Sequence, residues 1–213
     1  MRILVTAGPT REYLDPVRFL SNRSTGRMGF ALAQAAQDRG HAVTLIHGPV
    51  VLPVPDGVVA VPVVSAADML EAVLAALPDC DALIMCAAVA DWRPAEMATV
   101  KRKKDEMSAT LALERTVDIL GQVRLLRTEQ QIIVGFAAET NEVIRYAKEK
   151  LVRKGLDLIV ANDVSRADAG FEVDTNAVMI LDRDGGTDVL PLQSKAAVAR
   201  HIVERIEQIL LGA

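Results

Sequence analysis

The sequence is short of aromatic residues, which make up 3% of its 213 positions and include a single tryptophan. So thin a supply leaves little material for the base-stacking platforms of single-strand nucleic-acid binders. Cysteine is nearly absent. Cys80 and Cys86 are too few and wrongly spaced for a zinc site or a disulfide framework, and they are read as buried, inert thiols. Nor is there an excess of positive charge. Lysine and arginine number 24 against 28 acidic residues, for a formal charge of -4 and a pI near 5.5. No global field therefore draws nucleic acid or anionic lipid, and any basic site must be local. No apolar run approaches the ~20 residues that span a bilayer. Residues 1–6 reach Gly8 and Pro9 too soon to form the apolar region of a signal peptide. These absences predict a cytoplasmic protein with no membrane and no nucleic-acid partner.

What is present is a hydrophobic content of 51%, enough to bury one substantial core, and the length favours a single domain over residues 1–213. Short runs rich in Val, Ile and Leu recur at 3–7, 43–47, 58–64, 83–87, 132–136 and 158–161. Helical patterns lie between them at 26–39, 66–77, 117–127 and 141–154. Near-continuous apolar strands alternating with helices predict an α/β fold, a doubly wound, mostly parallel sheet covered on both faces. Residues 177–190 read instead as two strands around Asp184-Gly185-Gly186, a hairpin placed at the sheet edge, followed by a helix over 194–211. The polar stretch 93–112, with Lys101, Arg102, Lys103 and Lys104, suits neither a core strand nor an amphipathic helix and is read as a flexible flap over a site.

In such a sheet, ligands bind beyond the carboxyl ends of the strands, where the strand order reverses. After the first strand come Gly8-Pro9-Thr10-Arg11, Asp15-Pro16-Val17-Arg18 and then 21–29, which runs through Ser24, Thr25, Gly26 and Arg27 into a helix. Glycines, hydroxyls and arginines at a helix start suit an anion. The same residues also fit a plain helix cap, with Gly26 and Gly29 allowing close packing on the sheet. A dinucleotide fingerprint would put its glycines directly after the first strand and an acidic residue at the end of the second. Here a long insertion separates Gly8 from Gly26, and the second strand ends His47-Gly48-Pro49. An NAD(P)-binding oxidoreductase is therefore the alternative reading, beside a nucleotide-binding module without turnover.

The fourth strand ends in small residues, Cys86 to Ala90, with Asp91 next, suited to a sugar hydroxyl, a metal ion, Arg93 or a simple turn. Lys150 and Lys154 share a helix face four residues apart, a repulsion that a bound triphosphate would remove and that a solvated face would tolerate. Asn162-Asp163 reads as a turn or a site wall.

Together these segments resemble the phosphopantothenate-cysteine ligases, also called phosphopantothenoylcysteine synthetases, of the bacterial type, over essentially the whole chain. The resemblance is carried in order by 6–12 with 15–18, by Ser21-Asn22-Arg23-Ser24-Thr25-Gly26, Ala87-Ala88-Val89-Ala90-Asp91 and 101–104, and by Gly135-Phe136-Ala137-Ala138-Glu139-Thr140 and Ala161-Asn162-Asp163-Val164. It implies a Rossmann-like fold and a ligase that activates the carboxylate of 4'-phosphopantothenate with CTP and magnesium, then couples it to cysteine. By that resemblance Asn22 is catalytic and substrate-binding, and Lys101 closes over the activated intermediate. Cys86, Ala87, Asp91, Lys101, Phe136, Lys150 and Lys154 match nucleotide-binding positions, with the two helix lysines on phosphates and Phe136 against base or sugar. Ala88 matches a contact to the pantothenate portion. Bacterial members typically read Asn-Pro-Asp-Ile where this chain has Thr116, Val117, Asp118 and Ile119, so its nucleotide contacts depart at the first two positions. The resemblance also implies a homodimer and, since members are frequently fused to a flavin-dependent decarboxylase that this chain does not supply, such an enzyme as a partner.

Overall fold

A computed structural model describes residues 1–103, 110–139, 141–163, 170 and 172–212. Its elements run β1 (Arg2–Ala7), β2 (Arg11–Tyr13), β3 (Phe19–Ser21), α1 (Arg27–Asp38), β4 (Ala42–His47), β5 (Val59–Pro62) and α2 (Ala66–Ala76). The chain continues through β6 (Ala82–Met85), β7 (Trp92–Pro94), β8 (Leu113–Arg115), α3 (Ile119–Leu126), β9 (Ile132–Glu139) and α4 (Val143–Lys154). It ends with β10 (Leu158–Asp163), β11 (Thr175–Asp182), β12 (Thr187–Ser194) and α5 (Lys195–Leu211).

Eight of the strands form one sheet in the order β12-β11-β10-β9-β6-β1-β4-β5. The strands from β10 to β5 are parallel, and β11 and β12 turn back antiparallel at the edge. The apolar runs are nearly unbroken because alternate residues serve two cores. Ile3, Val5, Ile84, Val134 and Val160 pack under α1 and α5, whereas Leu4, Leu83, Ile133 and Ile159 pack under α2, α3 and α4. At the edge hairpin, Asp182 Oδ1 accepts the amides of Asp184 (3.0 Å) and Gly186 (2.8 Å) while Gly185 takes a left-handed φ of 95°. That is the turn expected from Asp184-Gly185-Gly186.

Several boundaries differ from the sequence reading for local reasons. The fourth apolar run leaves the sheet after Met85, and its continuation is tied to the extension of β1 instead, with Ala88 N–H donating to Gly8 O at 2.9 Å. The helix expected from 117 starts at Ile119, because the Asp118 side chain caps it by accepting the Gly121 amide at 3.1 Å. The flap 93–112 is rooted in a two-stranded ribbon, β7 against β8, which pairs Trp92 with Arg115 and Pro94 with Leu113. A second ribbon, β2 against β3, was not expected. Lys104, Thr140 and Val164 lie outside the described residues.

The order of the sheet reverses between β1 and β6, so the crevice falls at the carboxyl ends of those strands. Gly29 sets how closely α1 approaches that crevice. A Cβ there would come 2.4 Å from Ala7 Cβ and 3.0 Å from its Cα, atoms of a central strand that cannot yield. Gly29→Val is therefore expected to destabilise the fold by about 1–3 kcal/mol through overpacking, measured as a lower urea midpoint. An unchanged midpoint would show that α1 can slide on the sheet.

Candidate functional site

A cleft of about 680 Å³ opens at this switch point, lined by the ends of β6, β9, β10 and β11 and by the starts of α1, α3 and α5. Among the described residues, the cations Arg27, Arg115, Lys150, Arg153, Lys154 and Lys195 outnumber the carboxylates Asp91, Asp118 and Glu139 on its walls. An acidic chain thus carries a locally basic cleft. Gly26, in a left-handed conformation with φ 80°, precedes helix α1 as its N-cap, with no side-chain cap and no acidic residue in the first turn. The positive end of its dipole is left to face the cleft.

The wall formed by α3 and α4 is built from a chain of contacts. Thr116 donates its hydroxyl to Ala90 O at 2.6 Å and its amide to Asp91 O at 3.0 Å, which fastens the segment before α3 to the residues just before β7. Asp118, already the cap of α3, forms an ion pair with Lys154. Burial works to raise its carboxyl, but Lys154 and the Gly121 amide outweigh it and hold the group below the usual carboxylate range. One turn back, Lys150 donates to Phe136 O at 2.7 Å. Burial pulls the Lys150 ammonium below the ordinary lysine range, and Lys154 adds to the fall, against the opposing pull of Glu139 and Asp91.

The wall formed by α1 and α5 was largely unforeseen. Lys195, at the start of α5 and 6% exposed, donates to Gly170 O at 2.8 Å and to Val173 O. Its ammonium is lowered by burial and by Arg27, with Asp174 opposing. Asn162 and Asn176 stand beside each other, Nδ2 of the first 3.4 Å from Oδ1 of the second. Asn162 Oδ1 is buried with no hydrogen-bond partner among the described residues, in a residue that lines the cleft. Cys86 shares this wall, its thiol pushed up to about 12 by burial, and the Cys80 thiol in the core is pushed up to about 11 by burial. Both remain protonated at neutral pH, in keeping with inert thiols.

Of the residues singled out from sequence, Cys86, Ala87, Ala88, Asp91, Thr116, Val117, Asp118, Ile119, Phe136, Lys150 and Lys154 all line the cleft. Asn22 does not line it but stands at its rim, where Nδ2 donates to Ala88 O (3.1 Å) and Val89 O (3.2 Å). Lys101 is exposed and outside the cleft lining. Arg93 pairs with Glu114 rather than with Asp91. Asn162 belongs to a wall, not a turn. Lys195, Asn176, Arg115 and Arg153 were missed. Lys195 and Asn176 come from the edge hairpin and the helix behind it, where nothing local points to a site.

The family described as the DNA/pantothenate metabolism flavoprotein C-terminal domain matches residues 1–210. The chain belongs to that family. It is 51% identical over 205 residues to the coenzyme A biosynthesis bifunctional protein CoaBC of Bacillus subtilis (strain 168), covering 96% of this chain and 50% of that protein. The protein of the same name from Escherichia coli (strain K12) is 47% identical over 211 residues, covering 97% of this chain and 51% of the relative. The chain thus spans about half the length of these relatives. Among solved structures, the crystal structure of the C-terminal domain of CoaBC superposes with a TM-score of 0.86 at 43% identity, covering 100% of this chain and 96% of that one. The DNA/pantothenate metabolism flavoprotein from Streptococcus pneumoniae shares the fold, with a TM-score of 0.84 at 22% identity over 98% of this chain and 99% of that chain. In the family's terms, the match places this chain on the carboxyl-terminal half of CoaBC. Among the described residues, no helix is long and apolar enough to cross a membrane.

Proposed function

We propose that this chain is the phosphopantothenate-cysteine ligase domain of its family, a cytoplasmic enzyme using CTP, and that residues 1–213 act as one domain. The observation that carries the reading is the placement of Asn22, whose amide is bonded to the Ala88 and Val89 carbonyls in the segment after β6, at the mouth of a basic cleft at the sheet's switch point. The reaction brings two anions together. A carboxylate oxygen of 4'-phosphopantothenate attacks the α-phosphorus of CTP, pyrophosphate leaves, and the acyl-cytidylate forms. The amine of cysteine then attacks the acyl carbon, CMP leaves, and the amine gives up a proton. Such a path calls for fixed cations and oriented donors where negative charge gathers, with little covalent chemistry from the protein.

The cleft supports that division of labour. Lys150 and Lys154 supply charge for the nucleotide from α4, Phe136 and the segment from Thr116 to Ile119 border it, and Cys86, Ala87 and Asp91 line the floor. Ala88 and Asn22 stand together where the pantothenate carboxylate would meet the α-phosphate, and Lys101 would close over the intermediate. Among the described residues, no three His, Cys, Asp or Glu side chains converge to hold a metal by themselves. A magnesium ion would therefore be held chiefly by the triphosphate, with Asp91 and Glu139 the nearby carboxylates, and would neutralise phosphate charge. The competing oxidoreductase reading is weakened at β4, where Gly48 lies so close to Pro9 O that a Cβ would sit 1.8 Å away. No carboxylate can be placed there for a ribose. A homodimer is the assembly proposed, supported by the exposed apolar side chains Val17, Phe19, Trp92, Val100 and Leu113 on and beside the two ribbons. A flavin-dependent decarboxylase is the proposed partner, in keeping with the relatives' bifunctional names.

The test is pyrophosphate release from the purified protein with 4'-phosphopantothenate, cysteine and magnesium, with CTP and ATP compared at equal concentration. Release with CTP alone is expected. Release favouring ATP would keep the ligase and trace its selectivity to Thr116 and Val117. Release with neither would overturn the reading in favour of a binding or redox protein.

A further inference from the structure

Asp15 is a fully buried carboxylate outside the cleft, at 0% exposure, and its two oxygens have separate duties. Oδ1 accepts the amides of Val17 and Arg18, each at 2.9 Å, which closes the turn between β2 and β3. Capping that turn needs one oxygen and no charge, and an asparagine would serve. Oδ2 is used differently. It pairs with the Arg18 guanidinium, with Nε at 3.0 Å and with Nη2, and it accepts the amide of Arg102 at 3.3 Å. Arg18 Nη2 then donates to Arg102 O at 3.0 Å. The pair therefore grips both the N–H and the C=O of one residue, as a neighbouring strand would, and the residue gripped is next to Lys101. A second tie, Ala98 N–H to Leu14 O at 3.0 Å, lies on the same limb.

The same ribbon leads straight into Asn22. β3 pairs Ser21 with Arg11, and Ser21 Oγ donates to Thr10 O at 2.8 Å, which fixes the backbone just before Asn22. One small rigid unit thus holds Asn22 at one end and the backbone beside Lys101 at the other. A buried carboxylate is costly unless its charge is met by partners. The partners that meet this one are those that fix Arg102.

We propose that Asp15, through its pair with Arg18, is a positioning residue for Lys101, setting where the lysine-bearing limb stands relative to Asn22. The proposal rests on the ligase reading of Lys101. Asp15→Asn keeps the turn cap at Oδ1 and replaces Oδ2 with a donor that opposes both Arg102 N–H and Arg18.

Two measurements on the full chain test it. Hydrogen exchange across 98–103 is expected to speed up at least about tenfold in Asp15→Asn, the loss of one charge-assisted hydrogen bond, with amides of β1 and β9 unchanged. Turnover is expected to fall about tenfold in Asp15→Asn, yet Asp15→Asn added to Lys101→Gln is expected to cost nothing more, because residues that act through one another are not additive. Should Asp15→Asn fail to fold, Arg18→Lys keeps the charge, loses the fork on Arg102 O, and is expected to show the same exchange and the same non-additivity. Unchanged exchange across 98–103 overturns the clamp. Multiplying losses in the double variant make Asp15 merely structural and overturn the positioning role. If Lys101→Gln alone leaves turnover intact, the reading of Lys101 falls and the positioning role with it, while faster exchange still separates that failure from a failure of the clamp.

Discussion

Asn22→Ala is expected to lower pyrophosphate release by on the order of a hundredfold or more, the loss typical of removing one oriented donor from a site of developing charge, with the unfolding midpoint unmoved. The second half of that expectation follows from exposure. Asn22 lies outside both apolar cores and stands at the surface, so truncating it opens no cavity. The first half follows from its bonds. With Nδ2 committed to Ala88 O and Val89 O, the amide is held in one orientation against the segment after β6. Asn22→Asp would put a negative charge where two anions must meet, and no recovery is expected from it. Steady-state assays paired with thermal melts give the answer. Turnover within about threefold of the unmodified chain would remove Asn22 from the reaction, because a single oriented donor is worth far more than that.

Lys150→Gln is expected to weaken CTP, seen as a rise in KM with a fall of about tenfold or more in kcat/KM, the usual worth of a charged hydrogen bond to phosphate. Its pH dependence gives a sharper test. Because burial lowers the ammonium's pKa, Lys150 loses its charge on the alkaline side before an ordinary lysine would. Nucleotide affinity should therefore decline as pH rises, starting below the usual lysine range. Lys150→Gln should start weak and lack that decline. An identical alkaline decline in the variant would assign it to another group and take Lys150 off the nucleotide.

Much of this could be read in the chain because the information is local. The order of apolar runs and helical patterns follows from two-sided burial, and Asp184-Gly185-Gly186 encodes its hairpin in three residues. The cleft-lining residues just after β6 and along α4 were legible because sheet topology places a crevice at strand ends. What escaped notice depends on tertiary closure. β2 and β3 are three residues each, too short to show a period. Lys195 follows a cap, Ser194, whose hydroxyl accepts the Ala197 amide at 3.2 Å, so the sequence around it describes only a helix start. Its ammonium reaches the cleft because α5 packs back along α1, which brings it near Cys86, 109 residues upstream. Arg115 lies just beyond the flap read over 93–112 and carries no local signal of its own; only the pairing of β8 with β7 sets its guanidinium over Trp92.

The position of β1 has a consequence for how the molecule assembles. Ile3 pairs with Val43 on one side and with Ala82 on the other, so the middle of the sheet is made from contacts distant in sequence, while the edge hairpin of β11 and β12 is local. Loop closure must precede the reward of such pairings, which slows folding. The seam between β1 and β6 is where the cleft opens, so intermediates that have formed only their hairpins and helices lack a binding site altogether. Ligand should then bind only chains whose central seam has zipped, and saturating nucleotide would stabilise that late step while leaving the early, local structure untouched.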